Sequence, residues 1–554
     1  MKNNNGDACP PRGPKSGNLK SPSEGPLNSN PHDCNTKDLA EGHPQDIDFS
    51  RPFRGFDWSD HVRVQRMIDE VFAEYAVWYR EDTPGERIKN PHLIRQYLTH
   101  FLLEAFRVHR AQPGMMLGVP LGKDRYRKTG DRYRRKHIAS YDGVKNVTDF
   151  LVAGDYLEMP FGKAEKEADP KRRKTTRFRA TDRLIRLCED CGVNPFMIRP
   201  YVDSEVIILR KPKAPGQMHG DLMEYDDTEF TNETRMNLNK INAFIAEHHI
   251  DLDIFDDQEQ ELLRLLRNQD DPAKDKFLDF TRTRLSRIFN NASFEQGGRF
   301  FHGWWMSVPG DFRSLITIDG EQTVELDYSG MHFAIMYADL GMDIPMDDPY
   351  VLDGYGGHLR GHIKKAFNII INCDSRDEAI GALNRRIRKG ELSEELGDGR
   401  RLLAAFAEAH PLIRHKIASG EGIRGQFKES RIAEKVMLRG METGMCILPM
   451  HDGFITKKQD ADTLEDLMNE AFREITGRSA RIKPETFDLS VLPHAGEYET
   501  YFIRRTDGSV ELNGPLEGKA ISFSPLHPEL PAGRAYSKKN KEKRAREWEE
   551  AHGK

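Results

Sequence analysis

The chain has 554 residues, a formal net charge of −6, 37% apolar residues and six cysteines. That length divides into about three or four domains. No apolar run approaches the ~20 residues a membrane helix needs, no secretory leader is evident, and so few cysteines argue against a disulfide framework. A soluble, reducing, cytoplasmic setting without membrane partners is expected.

The net negative charge alone argues against a nucleic-acid partner, but its distribution argues for one. Ala105 to Ala180 holds 19 Lys and Arg against 9 Asp and Glu, a local balance of +10 that leaves −16 on the remainder. Such asymmetry marks a polyanion-binding face on an otherwise acidic protein, hence an expected nucleoid association.

In chain order, residues 1–52 are rich in Asn, Pro, Gly and Ser, without periodic apolar positions, and predict a disordered tail. Trp58, Val62, Met67, Ile68, Val71, Phe72 and Tyr75 recur at helical steps, as do Leu93, Ile94, Tyr97, Leu98, Phe101, Leu102 and Phe106 within His92 to His109. Two core helices follow. Asp124 to Lys136, DRYRKTGDRYRRK, reads either as a solvated loop or as a phosphate-contacting arm; the interleaved Tyr126 and Tyr133 suit the arm. Next come a helix (Tyr141 to Val152), a strand (Tyr156 to Met159), a charged loop (Gly162 to Lys174), a strand (Thr175 to Arg179) and a capped helix (Thr181 to Cys191). This succession resembles the end of the winged helix of replication initiators and transcription regulators. The resemblance implies that Lys171, Arg172, Arg173, Lys174 and Arg177 lie on the wing and meet phosphates. Cys188 and Cys191 form a lone CxxC with no second pair at zinc-finger spacing, so packing is their expected role.

Glu205 to Lys213 opens as a strand, and Ala214 to Asp227, rich in Gly, Pro and Asp, marks a domain boundary. Phe230 to Asn290 predicts three helices: Glu233 to His249, Gln258 to Arg267 and Lys274 to Asn290. In Gly297-Gly298-Arg299-Phe300-Phe301-His302-Gly303-Trp304-Trp305 the first two glycines permit close backbone approach. An Arg buried among aromatics without a charged partner is costly, so Arg299 is expected to be functional and the four aromatics to be core.

The run Glu321 to Leu340, EQTVELDYSGMHFAIMYADL, is a strand ending on Asp327, a tight turn, and a helix from Met331. Ile447 to Thr456 reads as two short strands joined at His451-Asp452-Gly453, with an Asp at the tip. Two strand-borne carboxylates around turns are what two-metal phosphoryl chemistry needs. Between them, Arg360 and Lys364 are four residues apart on one helix face, able to hold a triphosphate.

DYSGMHF followed by MHDGFIT resembles the first and last palm motifs of the family A DNA polymerases and the phage-type single-subunit RNA polymerases. The run His358 to Asn368 is similar to the fingers helix of that superfamily. The resemblance implies Asp327 and Asp452 as ligands of Mg²⁺ or Mn²⁺ and His451 near a primer terminus. It also implies Arg360, Lys364, His332, Asn368 and Asn372 around the incoming nucleotide, and Arg299 facing template and product strands. Asn372 stands where the superfamily usually has Tyr, Asn368 where it has an aromatic or Met, Gly453 where it has Glu or Ser, and His332 where DNA polymerases often have Glu, which leaves the choice of sugar open. The short interval from Asp327 to Asp452 implies reduced fingers. Asp343, Asp347, Asp348 and Asp353 read as a solvated loop, and His358 as structural.

Further helices are expected over Arg376 to Lys389, Gly399 to Ala409, Pro411 to Ala418, Ser430 to Glu442 and Asp460 to Ile475. A hairpin follows over Tyr501 to Leu512, then a disordered basic tail containing SKKNKEKRAREWEE, a possible phosphate tether. The expected fold class is α+β: a right-hand polymerase-like palm of antiparallel sheet with reduced helical fingers and thumb, preceded by a winged-helix-like domain. The expected division is a disordered tail (1–52), a helical and winged-helix-like nucleic-acid-binding domain (53–213), a thumb-like region (228–295), palm (296–340), fingers (341–429), palm (430–490), and hairpin with tail (491–554). The expected function is template-directed nucleotidyl transfer on a nucleic-acid template and primer with nucleoside triphosphates. Two alternatives stay open. One is a DNA-binding replication or mobile-element protein with an inactive palm; the other is a metal-dependent nuclease using Asp327, His332, His451 and Asp452.

Overall fold

The computed structural model describes residues 50–123, 126, 132–133, 140–161, 175–201, 204–214, 216–254, 256–267, 277–485, 501–504, 510–513 and 534–553. Its first core is built from β1 (Ser50–Pro52), β2 (Asp57–Trp58), α1 (Val62–Asp82), α2 (Pro91–Ala111), β3 (Met116–Val119), α3 (Tyr141–Ala153), β4 (Leu157–Phe161), β5 (Thr176–Ala180), α4 (Asp182–Asp190) and β6 (Arg199–Pro200). The sheet order is β1-β3-β5-β4, with β1 parallel to β3 and the other pairs antiparallel. Helices α1 and α2 form where the apolar spacing predicts them, except that Trp58, counted with the first, lies in β2; α2 is buried along most of its length.

Burying α2 brings Glu104 inside, where it must be satisfied. It accepts from the backbone N–H of Arg54 (2.8 Å) and Gly55 (2.7 Å) and from Arg51 Nη2 (3.2 Å). Three residues on, Arg107 holds both carboxylate oxygens of Asp57. Ser50–Pro52 is therefore a strand anchored to α2 and not the end of a tail; residues 1–49 lie outside the described residues. A three-residue strand whose one buried side chain is Arg51 leaves no apolar signal in the composition.

Helix α3, capped by Ser140, leads into the β4–β5 hairpin. Arg177 lies in the returning strand of the hairpin, as expected. It sits in β5 between β3 and β4, and its guanidinium lies over Gly118, where a Cβ would be 3.1 Å from Nη1. It is a sheet residue, and Lys171, Arg172, Arg173 and Lys174 lie outside the described residues. Cys188 packs its Sγ 3.6 Å from Met67 Sδ, the packing role expected.

The chain passes to a second core between Ile198 and Val206, ahead of the boundary expected at Ala214 to Asp227. Here β7 (Ile207–Leu209) runs parallel to β9 (Ser286–Phe289), which pairs antiparallel with β10 (Gly297–Phe301). Of the basic run at 124–136, Arg132 pairs with Glu205 (3.0 Å) and covers the Tyr225 ring at 3.9 Å, and the Tyr133 hydroxyl accepts from Leu209 N–H (2.7 Å). Both residues pack on the second core, whereas Tyr126 meets the Tyr141 ring of the first.

Before β9 come α5 (Glu229–Ala246), β8 (Ile250–Leu252) and α6 (Asp256–Arg267). The helix expected over Lys274 to Asn290 is absent over 277–290, because Leu285, Arg287 and Phe289 alternate inward with period two to form β9. The thumb expectation changes with it. Residues 228–295 share the second core and supply β8 to its main sheet, so they are not a separate lobe.

That sheet is antiparallel, in the order β13-β14-β12-β11-β8, from β11 (Ile316–Ile318), β12 (Glu321–Tyr328), β13 (Leu448–Met450) and β14 (Gly453–Lys457). The end of β12 also pairs with β15 (Ile482–Pro484). Between β12 and β13 run α7 (Met331–Ala338), α8 (Arg360–Ile370), α9 (Arg376–Arg388), α10 (Gly399–Ala409) and α11 (Glu421–Glu442). Helices α7 to α10 enclose a third apolar cluster around Phe333, Tyr337, Phe367 and Phe406. Residues Pro411 to Ala418 are turns instead of the expected helix, and α11 starts nine residues earlier than expected. Helix α12 (Ala461–Thr476) lies against α11.

Beyond the hairpin of β16 (Tyr501–Arg504) and β17 (Val510–Asn513), the basic end is not disordered. It forms α13 (Arg534–His552), with Trp548 and Ala551 buried. Four of its charges meet partners elsewhere in the chain: Arg544 to Asp251 (2.8 Å), Lys541 to Asp253 (2.8 Å), Glu547 to Arg110 (2.8 Å) and Glu550 to Arg63 (3.1 Å). Charge density suggested solvation; a single Trp and four complementary partners give a docked helix.

Candidate active site

The β13–β14 hairpin turns through His451 and Asp452. Only the first has a positive φ, 62°, the pattern of a II′ turn that glycine would adopt without strain. Register pairs Asp327 with Gly453, so Asp452 stands at the end of β12, and the Tyr328 N–H reaches the Asp452 carbonyl at 3.4 Å. A Cβ at Gly453 would lie 3.1 Å from the Leu326 carbonyl and 3.4 Å from Asp327 Oδ1. The glycine that departs from the motif is what lets the hairpin approach Asp327 this closely.

Burial, then Asp452 and Glu485, lift the Asp327 carboxyl from 3.8 to about 8, against the pull of Lys364 and Lys483. Burial and Glu429 likewise raise Asp452, opposed by Arg299, a backbone N–H and His332. Two partly buried carboxylates that each raise the cost of charging are what a hard dication would relieve. Among the described residues no group of three His, Cys, Asp or Glu side chains forms a ready-made cation cage. The pair nevertheless suits Mg²⁺, which keeps several waters and takes one or two carboxylates plus substrate phosphates.

Beside Asp452, α11 carries Glu429, 1% exposed. Its Oε2 accepts from Arg299 Nε (2.8 Å) and Nη2, and its Oε1 stands 3.2 Å from His332 Nδ1. Burial alone would raise this carboxyl, but His332, Arg299 and His451 hold it below the ordinary range. The argument for Arg299 therefore changes, since the charged partner missing from the local sequence comes from 130 residues away. His332 is drawn onto α11 at Gly425, where a Cβ would be 2.9 Å from its Nδ1. Gly298, with φ 80°, lets β10 approach Phe289 and Ser430 as its sequence predicts. Phe300, Trp304 and Trp305 are core, while Phe301 meets the His451 ring edge-on at 6.0 Å.

On α8, Arg360 and Lys364 share a face. Lys364 is close enough to lower Asp327, whereas Arg360 is ion-paired with Asp348 and lies over the Tyr350 ring at 5.5 Å. Asp348 thus fastens the loop before α8 and is not the solvated acid expected. Asn368 and Asn372 are exposed at the end of the same face, joined by Asn372 Nδ2 donating to the Asn368 carbonyl (2.7 Å). His358 pairs with Glu395 at the surface (2.9 Å).

The structure brings Asp327, Asp452, His451, His332, Arg299 and Lys364 into one neighbourhood, with Arg360, Asn368 and Asn372 along one flank. Arg177 lies in the first core. Sequence reasoning missed Glu429, Glu485, Lys483 and Tyr350, whose buried phenol is raised by burial and then by Asp452. Glu429 had a readable signal, an acid in the same stripe as Gly425, Ile432, Ala433 and Val436 on an amphipathic helix.

No family model matches the chain, and no curated protein does. Among solved structures, the POL domain of Pol1 from M. smegmatis, in complex with DNA primer-template and dNTP, is found at 12% identity, covering 76% of this chain and 68% of that one. Its TM-score is 0.25, a likeness that carries no structural argument.

Proposed function

We propose that the chain is a template-directed nucleotidyltransferase with a polymerase-like palm and a basic, winged-helix-like N-terminal module. The observation that carries this reading is the register that sets Asp327 on β12 against Gly453, next to Asp452 at the β13–β14 turn, with Asp452 raising the cost of charging Asp327. Helix α8 bears Lys364 above them, in the order the three motifs predict.

In this reading Asp327 and Asp452 hold Mg²⁺ or Mn²⁺, which when bound supplies charge neutralisation for in-line phosphoryl transfer. Lys364 and Arg360 take the nucleotide phosphates and stabilise the charge that develops on the leaving pyrophosphate. Arg299, His332 and His451 face the strand end. Sheet topology supports the N-terminal assignment: α3 precedes the β4–β5 hairpin, and β3 lies beside β5. The antiparallel main sheet supports the palm, and the helices α7 to α10 the reduced fingers.

The test is extension of a labelled primer on a short template with Mg²⁺ or Mn²⁺ and either sugar, comparing the intact chain with Asp327→Ala. Template-dependent growth lost in the variant is expected. Firm template binding without growth would instead indicate a nucleic-acid-binding protein with an inactive palm, and fragment release without triphosphates a nuclease.

A further inference from the structure

Strand β15 brings a second lysine to Asp327. In its antiparallel pairing with β12, Lys483 stands directly across from Asp327 and Ile482 across from Tyr328. Residues opposite one another share a face of the sheet. Ile482 therefore turns with Tyr328 toward the core, and Lys483 turns with Asp327 toward the candidate site. The Lys483 side chain is 45% exposed, and among the described residues its ammonium makes no hydrogen bond; Glu485, at 3.8 Å, is the acid it pairs with, beyond hydrogen-bond reach.

The arginines beside it are differently employed. Asp347 and Asp348 are consecutive residues of the loop before α8. Arg481, just ahead of β15, donates through Nη1 to the Asp347 carbonyl and holds Nη2 3.4 Å from its Oδ1, while Arg360 of α8 is ion-paired with Asp348. One loop thus ties the start of β15 to the start of α8. Lys483 lies two residues along the strand from this tie, on the face of Arg481, and Lys364 lies one turn along the helix from Arg360. The loop acids occupy both arginines and leave both lysines without a hydrogen bond. An ammonium on a flexible stem, with three donors and no acid of its own, suits a polyanion that arrives together with the cation at Asp327. We propose that Lys483 is a further nucleotide-binding residue, taking a phosphate of the nucleoside triphosphate from the sheet while Lys364 takes another from α8.

The inference rests on the nucleotidyltransferase reading of the site. The experiment is titration calorimetry of inorganic tripolyphosphate into the full-length chain in EDTA, for wild type, Lys483→Gln, Lys483→Arg, Lys364→Ala, Asp327→Asn and the double variant Asp327→Asn/Lys483→Gln. EDTA removes metal ligation from the measurement, and the inorganic chain removes base and sugar. Lys483→Gln is expected to weaken binding about tenfold, the scale of one charge-assisted hydrogen bond, and Lys483→Arg to keep most of it. The same loss is expected between Asp327→Asn and the double variant. Unchanged binding in Lys483→Gln, with binding weakened in Lys364→Ala, overturns the proposal and leaves the reading of the site standing. A loss that vanishes in the Asp327→Asn background also overturns it, since Lys483 would then only balance the Asp327 charge. No tripolyphosphate binding by the wild type would sink the reading of the site, and this inference with it.

Discussion

Replacing Asp327 by Asn should make the cation-free protein more stable at high pH while abolishing any activity. The carboxyl is lifted from 3.8 to about 8 by burial and by Asp452 and Glu485. About four units at roughly 1.4 kcal/mol each set a ceiling of about 6 kcal/mol. Water at the partly exposed side chain and the coupling of its proton to Asp452 lower this to about 2–3 kcal/mol. The sign follows from proton binding. Between about pH 4 and pH 8 the folded chain keeps a proton that the unfolded chain has released, so the stability from this site is full below the unfolded pKa and is lost as pH rises through 8. An amide has no such dependence. Thermal melting in EDTA should show the variant matching wild type below about pH 4 and exceeding it at pH 9, where added Mg²⁺ should raise the wild type alone. A difference independent of pH, or a less stable variant at pH 9, would refute the electrostatic account.

Lys364→Ala should weaken nucleotide binding about tenfold, the scale of one lost charge-assisted contact, and Arg360→Ala less, since Arg360 is already paired with Asp348; apparent KM in primer extension distinguishes them. Gly298→Ala places a Cβ 2.7 Å from Phe289 Cε1 at a φ of 80°, and should cost about 2 kcal/mol or more on melting. Arg287→Ala leaves Glu434 without its charged partner and should cost about 3–5 kcal/mol. Trp548→Ala should cost about 3 kcal/mol and speed amide exchange around Pro195–Met197, on which α13 packs.

Much of the site could be read locally, and the misses have a common cause. Asp327, the turn after it and the His451–Asp452 hairpin are short-range patterns in which neighbouring residues decide the backbone. The α1, α2 and α8 helices follow from spacing in the same way. Glu429 could not be assigned locally, because its meaning comes from Arg299 on a distant strand and His332 on another helix. The segment at 286–289 was lost because four residues serve both periods, and only pairing with β7 and β10 selects the strand. Arg132 was read from charge and interleaved tyrosines, which cannot tell a phosphate ligand from an arginine that has found a glutamate. The last helix failed for the same reason: complementary charges lay in other parts of the chain.

The docking of α13 also sets an order of events. Arg63 and Glu550 are hydrogen-bonded across 487 residues, so the first core can be emerging from a ribosome long before its covering helix exists. At about 5–20 residues per second the interval is roughly 25–100 s. Once made, Phe196 and His249 stand uncovered until Trp548 follows. A chain cut ahead of α13 would keep both cores and the candidate site but have a permanently open seam, a species for proteases and chaperones to recognise.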